Sequence, residues 1–80
     1  MATVYLPSGL RPFANGAESV EIDASRVHDL LAALSTRFPD MAESLAEMAI
    51  AVDGEIYTQP GYQELRPGSE VHLLPRIAGG

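Results

Sequence analysis

VHDLLAALSTRFP, at residues 27–39, has a helical pattern of apolar residues, and the rest of the fold is predicted around it. Its apolar residues recur at spacings of three and four, which places them on one helical face that must be buried. These residues are Val27, Leu30, Leu31, Leu34 and Phe38. We expect Ser25 to cap the helix and Pro39 to end it, because proline disfavours helical geometry at the residue before it.

The segments on both sides of this helix carry strand patterns with a period of two. Strands are predicted at residues 3–6, 19–22, 49–52, 55–57 and 70–74. The prolines and glycines of residues 7–16 predict a loop that reverses the chain, so the first two strands should be antiparallel. Asp53 and Gly54 predict a tight hairpin, since glycine accepts the positive φ that such a turn needs.

A second, shorter helical stretch is predicted after Pro39. Asp40 and Glu43 have the spacing of a capping box rather than of a catalytic carboxylate pair. Apolar residues continue at helical intervals at Met41, Leu45 and Met48. Residues 58–68 should be irregular because of their Pro-Gly pairs, with Leu65 as a local anchor.

Together these elements predict an α+β fold in which a single sheet covers one main helix. The alternation places one set of strand residues against the apolar face of the helix. This predicted core comprises Val4, Leu6, Val20, Ile22, Ile50, Val52, Val71 and Leu73, closing on Val27, Leu30, Leu31 and Leu34.

The composition favours one small domain that binds neither nucleic acid nor membranes. The 80 residues are 46% apolar, which is enough for one core only. A net charge of −6 repels phosphate backbones and anionic lipids, so a basic protein partner fits best. All five basic residues are arginine, and cysteine is absent. Without a basic leader or a long apolar run, we expect a cytoplasmic protein.

The sequence offers little support for a catalytic or metal-binding site. His28 and His72 have no acidic or histidine neighbour at metal-ligand spacing. Ser8 and Ser25 lack an elbow motif and an evident base. We therefore expect no metal and no catalytic residue.

A docking surface is the better candidate. By alternation, Tyr5, His72 and Leu74 point away from the helix onto the open face of the sheet. Arg76 would lie at the rim of this patch, and Ile77 would extend it. The alternative is that these are ordinary exposed residues.

Three segments resemble a known family: VDGE at residues 52–55, LRPGSEV at 65–71 and LPRIAGG at 74–80. Along its whole length the chain resembles the MoaD/ThiS ubiquitin-like sulfur carriers, which include the small subunit of molybdopterin synthase. Ser69 stands where that family usually has aspartate, and Arg76 where a second proline is common. The resemblance implies a β-grasp domain over residues 1–76, with a mixed sheet of about four to five strands. A flexible Gly-Gly tail over residues 77–80 would follow it.

The physical chemistry of the tail agrees with a carrier role. Gly79 and Gly80 have no Cβ, so this end is slim enough to thread a narrow channel. Together with Ile77 and Ala78 they form a four-residue arm, which when extended can carry the terminal carboxylate more than about 10 Å from the sheet. A terminal carboxylate has a pKa of about 3.3 to 3.7, so it is ionised at neutral pH and must be activated before it reacts.

The resemblance implies how that activation occurs. An ATP-dependent E1-like enzyme would adenylate Gly80, and a sulfur donor would displace AMP to leave a thiocarboxylate. An acceptor enzyme would use the sulfur in molybdopterin, thiazole (thiamine), cysteine or similar biosynthesis. The chain itself would be a substrate, not an enzyme, with no cofactor of its own because ATP binds the partner. We expect a monomer when it is free.

Two other functions stay open. A ubiquitin-like modifier would use the same activated Gly80 to form an isopeptide bond with a target lysine. A β-grasp interaction module would have an inert tail and bind through its sheet alone.

Overall fold

The structure, a computed structural model, describes residues 1–57 and 62–75 and contains a five-stranded mixed sheet within them. The strands are β1 (Ala2–Tyr5), β2 (Ser19–Ile22), β3 (Ala49–Val52), β4 (Glu55–Tyr57) and β5 (Glu70–Leu74). Their order across the sheet is β2-β1-β5-β3-β4. β1 and β5 pair in parallel at the centre, whereas the other neighbouring pairs are antiparallel. This is the predicted β-grasp arrangement.

One face of the sheet is covered by helix α1 (Val27–Arg37). Val27, Leu30 and Leu34 are fully buried in it, and Leu31 packs against the same core while half-buried. The predicted strand residues of the core are all buried. The helix ends before Phe38, as Pro39 predicts, and the chain continues through a 3₁₀ turn (Pro39–Met41) into helix α2 (Ala42–Ala46). None of the helices in the described segments is long and apolar enough to cross a membrane.

The predicted hairpin joins β3 to β4. Asp53 has φ of 49° and Gly54 has φ of 88°, so both turn residues lie in the left-handed region that a tight turn requires. The Asp53 amide donates to the Glu70 carbonyl oxygen, and Asp53 Oδ1 accepts from the Glu70 amide, both at 2.8 Å. The turn is therefore tied to the start of β5 as well as closing the hairpin.

The predicted cap of α1 is wrong. Arg26, not Ser25, precedes the first turn, and no side chain caps it. Instead, the Val27 amide donates to the Gln63 carbonyl oxygen at 3.0 Å, while the Ser25 carbonyl accepts from the Leu65 amide at 2.9 Å. A distant loop thus pairs with the backbone at the helix start, where the sequence predicts a side-chain cap.

The predicted capping box after Pro39 is also wrong, although the short helical stretch is confirmed. No side-chain cap bond forms at the start of the 3₁₀ turn or of α2, and Asp40 and Glu43 are exposed. The Met41 amide bonds the Phe38 carbonyl oxygen at 3.0 Å, so backbone geometry alone starts this turn. Met41 and Leu45 are buried, so packing of the apolar stripe holds the segment in place.

The loop after β1 is more structured than the sequence predicts. β1 ends at Tyr5, one residue early, and a 3₁₀ turn spans Arg11–Ala14. Leu10 and Ala14 are buried beneath it. The predicted anchor Leu65 is buried as well, at 8% exposure.

Candidate functional site

The open face of the sheet, opposite α1, carries a continuous row of mainly apolar side chains across four strands. Tyr5 on β1 is in register with His72 on β5, His72 with Ala51 on β3, and Ala51 with Ile56 on β4. Residues in register on neighbouring strands share a face and lie side by side. We call Tyr5, His72, Ala51 and Ile56 the apolar row.

The aromatic pair is the most ordered part of this row. The rings of Tyr5 and His72 stack with centroids 4.7 Å apart and planes 12° apart. Tyr5 remains 37% exposed, and His72 is half-buried. Stacking holds both rings in place before a partner arrives, so binding here would cost little side-chain entropy. The structure therefore brings together two residues that the sequence predicted for docking.

Ile56 extends the row in a way that the sequence analysis missed. Its side chain is 66% exposed, which is unusual for a large aliphatic residue on a strand. Its neighbour Ala51 is 7% exposed and is not part of the core cluster. The sequence contains the information needed to predict this position. The two-residue Asp53-Gly54 turn fixes the hairpin register, and this register places Ile56 opposite Ala51.

Leu74, the third predicted docking residue, is two residues after His72 on β5 and therefore lies on the same face of the sheet. It is in register with Ala49 of β3 and is half-buried on the open face. Pro75 comes directly after Leu74, is exposed and is the last described residue of the chain. The predicted site residues Arg76, Ile77, Ala78, Gly79 and Gly80 lie outside the described residues, and their roles stay predictions.

The other sequence candidates do not gather into a reactive site. His28 is exposed on α1, on the opposite side of the sheet from His72. Ser8 and Ser25 are exposed, in loops. Within residues 1–57 and 62–75, no three His, Asp or Glu side chains are arranged to hold a metal ion.

One side chain shows a perturbed proton affinity. The Tyr57 hydroxyl donates to Glu55 Oε2 at 2.9 Å, and this bond, with smaller contributions from desolvation and the nearby carboxylates, raises the pKa of Tyr57 above 10.0. Glu55 and Tyr57 flank Ile56 on β4, so they point to the other face of the sheet. This pair lies on edge strand β4 and does not belong to the apolar row.

Comparison with known families gives a match over nearly the whole chain. The model of the ThiS family matches residues 4–80. A search among curated proteins found no significant match.

Solved structures with the same fold support the topology. A chain of the BexX/CysO complex from Amycolatopsis orientalis has a TM-score of 0.86 and 24% identity, with 100% of each chain covered. Small archaeal modifier protein 1 from Methanosarcina acetivorans has a TM-score of 0.84 and 20% identity, covering 99% of this chain and 95% of that one. A chain of the complex of subunits 1 and 2 of molybdopterin-converting factor from Helicobacter pylori has a TM-score of 0.72 and 24% identity, covering 99% and 97%.

Proposed function

Because the chain belongs to the ThiS family of small ubiquitin-like proteins, we propose that it is a sulfur carrier whose reacting group is the α-carboxylate of Gly80. The observation that carries this proposal is the continuity between the apolar row and the tail. β5 contributes His72 and Leu74 to the open face, and only Pro75, Arg76, Ile77 and Ala78 separate its end from the terminal Gly-Gly in the sequence. A partner that covers this face receives the tail at the same edge.

The chemistry proceeds in two steps on partner enzymes. The Gly80 carboxylate attacks the α-phosphorus of ATP, which releases pyrophosphate and leaves an acyl adenylate. A sulfide equivalent from a sulfur donor then attacks the carbonyl carbon and displaces AMP, leaving a thiocarboxylate. Activation is needed because the free carboxylate is ionised at neutral pH and is a poor electrophile. Gly79 and Gly80 let the backbone approach the catalytic groups of the partner closely.

The apolar row supplies the docking contact for these enzymes. Two structurally similar chains were solved in complexes with other proteins, namely BexX/CysO and the two subunits of molybdopterin-converting factor. In this chain, Tyr5 is an exposed aromatic residue already held by its stack with His72. Ordered, exposed aromatic residues are frequent energetic centres of interfaces. The partners are an E1-like activating enzyme and a sulfur-accepting biosynthetic enzyme, and ATP belongs to the former.

Intact-mass spectrometry tests the proposal. The chain ending at Gly80 is incubated with ATP, an E1-like enzyme from the same genome and a sulfur source. We expect a mass increase that corresponds to one oxygen replaced by sulfur. The control chain ends at Ala78 and should keep its mass. A wild-type chain that is never converted by any E1-like enzyme of that genome would overturn the proposal.

A ubiquitin-like modifier is the second candidate, favoured by the similarity to small archaeal modifier protein 1. The same acyl adenylate would then react with the ε-amine of a target lysine. Because all five basic residues of this chain are arginine, no conjugate could form on a lysine of the carrier itself. Conjugates of larger mass on other proteins would reveal this activity. Partner binding that survives loss of Gly79 and Gly80, with no chemistry at the tail, would instead indicate an interaction module.

A further inference from the structure

A second row of side chains crosses the open face beside the apolar row, and it is acidic. Thr3 on β1 is in register with Glu21 on β2 and with Glu70 on β5. Both glutamates are exposed, and the buried residues that alternate with them show that they point away from α1. We call Glu21, Thr3 and Glu70 the acidic row.

The two rows have a fixed order relative to the tail. Thr3 and Glu70 precede Tyr5 and His72 by two residues on parallel strands, a separation of about 7 Å. β5 runs from Glu70 towards Leu74 and then to the tail. The apolar row therefore lies nearer to the C-terminal end of β5 than the acidic row does.

The glutamates of the acidic row form no ion pair within the described segments, although Met1 and Arg37 line the same surface depression as Glu21. The strands β1 to β5 contain no arginine or lysine. Within the described segments, the ion pair that forms joins Arg26 to Glu64 at 3.7 Å, next to the start of α1. Asp53 adds a third carboxylate beside Glu70, since its Oδ1 accepts from the Glu70 amide. Like charges on one face repel each other, which a basic partner would relieve.

We propose that the acidic row binds arginine or lysine side chains of the partner protein that covers the apolar row, and so fixes the direction in which the carrier docks. This inference rests on the docking face of the proposed function. A row of apolar contacts buries area but discriminates weakly between opposite orientations, whereas charge pairs across an interface set register. With the basic groups on the side away from the tail, the correct orientation delivers Gly80 to the catalytic centre. A reversed orientation leaves the glutamates of the acidic row without basic partners.

The competing explanation is that these glutamates only keep an acidic protein soluble. The chain offers a matched control in Glu43 and Glu47, which are exposed and lie on or next to α2, away from the sheet's open face. The double variants E21Q/E70Q and E43Q/E47Q change the net charge equally. Effects of overall charge will therefore appear in both, and an effect of the acidic row only in the first.

A direct test uses a defined probe. A short synthetic peptide alternating leucine and arginine is titrated into the ¹⁵N-labelled chain, and amide shifts are followed by NMR. We expect perturbations at both rows, an affinity lower by about fivefold in E21Q/E70Q and unchanged in E43Q/E47Q. A leucine–glutamate peptide should not bind. Perturbations confined to the helix side or to edge strand β2, or equal losses in both variants, would overturn the inference, as would the absence of any perturbation.

Kinetics with the activating enzyme separate this inference from the proposed function. In E21Q/E70Q we expect KM for the carrier to rise about fivefold with kcat unchanged, and its dependence on salt to weaken, while E43Q/E47Q behaves like wild type. Wild-type carrier that is never activated contradicts the proposed function, and the peptide titration still decides the inference. Wild type and E21Q/E70Q activated with the same KM and salt dependence contradict the inference alone.

Discussion

The two faces of the sheet are built from the same strands but differ in burial, and we propose docking for the open face only. On β1 and β5, Val4 and Val71 are 0% exposed beneath α1, and they neighbour Tyr5 and His72 on the open face. Because side chains alternate with a period of two, a shift of one position along a strand leads from a core residue to a residue of the proposed docking face. Stability and recognition are therefore separable by substitution in this domain.

The largest effect is expected on the covered face. Replacing Leu30 with alanine removes a fully buried side chain from the centre of the core, so the free energy of unfolding should fall by about 2–5 kcal/mol. Chemical denaturation measures it. The matched variant is Leu74→Ala on the open face, where the side chain is half-buried and the loss should be clearly smaller. Equal losses in the two variants would show that the faces are not distinct.

The second-largest effect is expected for a substitution on the open face, and it should change partner affinity rather than stability. Tyr5→Ala should weaken association with the activating enzyme by about 2 kcal/mol, because it removes the exposed ring of the stacked pair. Calorimetric titration gives this value. Phe13→Ala is the control, since Phe13 is 42% exposed but lies in the 3₁₀ turn Arg11–Ala14 rather than on the sheet. A similar loss for Phe13→Ala would move the docking surface elsewhere.

The hairpin turn links the faces, because its register decides which side Ile56 occupies. Gly54 has φ of 88° with open space where a Cβ would lie. Gly54→Ala should therefore cost about 1 kcal/mol of stability through backbone strain alone. Gly9→Ala, also in open space but at a position without positive φ, should be nearly neutral. Thermal unfolding of both variants tests this, and a neutral Gly54→Ala would contradict the strained turn.

The smallest effect is expected for the ionisation of Tyr57, which lies on edge strand β4 on the covered side of the sheet. Tyr57 should ionise above pH 10.0 in the folded chain, since the hydrogen bond to Glu55 favours its neutral form. The raised pKa means that this contribution to stability is present below pH 10.0 and is lost as pH rises through the folded pKa. Phenolate absorbance, compared between wild type and Tyr57→Phe, isolates this group. Glu55→Ala removes the acceptor and should move the pKa of Tyr57 back towards 10.0, and an unmoved pKa would exclude the contact with Glu55 as the cause.

Local patterns in the sequence predicted what depends on local physics. Alternation placed Tyr5, His72 and Leu74 on the open face, and Asp53-Gly54 predicted the hairpin, because both follow from backbone geometry within a few residues. The terminal segment 76–80 was predicted from its chemistry and its family resemblance.

The features that the sequence did not predict depend on contacts between distant segments. The backbone of Gln63 takes the place of the Ser25 cap, although 38 residues separate the two positions. Ile56 joins the docking face only because β3 pairs with β5 on one edge and with β4 on the other. The acidic row likewise exists only once β1 lies between β2 and β5. Such pairings are set by the whole fold rather than by any one strand.

ATP–pyrophosphate exchange catalysed by the activating enzyme tests most directly whether Gly80 reacts on an arm delivered by the open face. We predict exchange with wild type, none with the chain that ends at Ala78, and exchange with a raised KM but unchanged kcat for Tyr5→Ala. Exchange that persists without Gly79 and Gly80, or that is absent with wild type, would contradict the account.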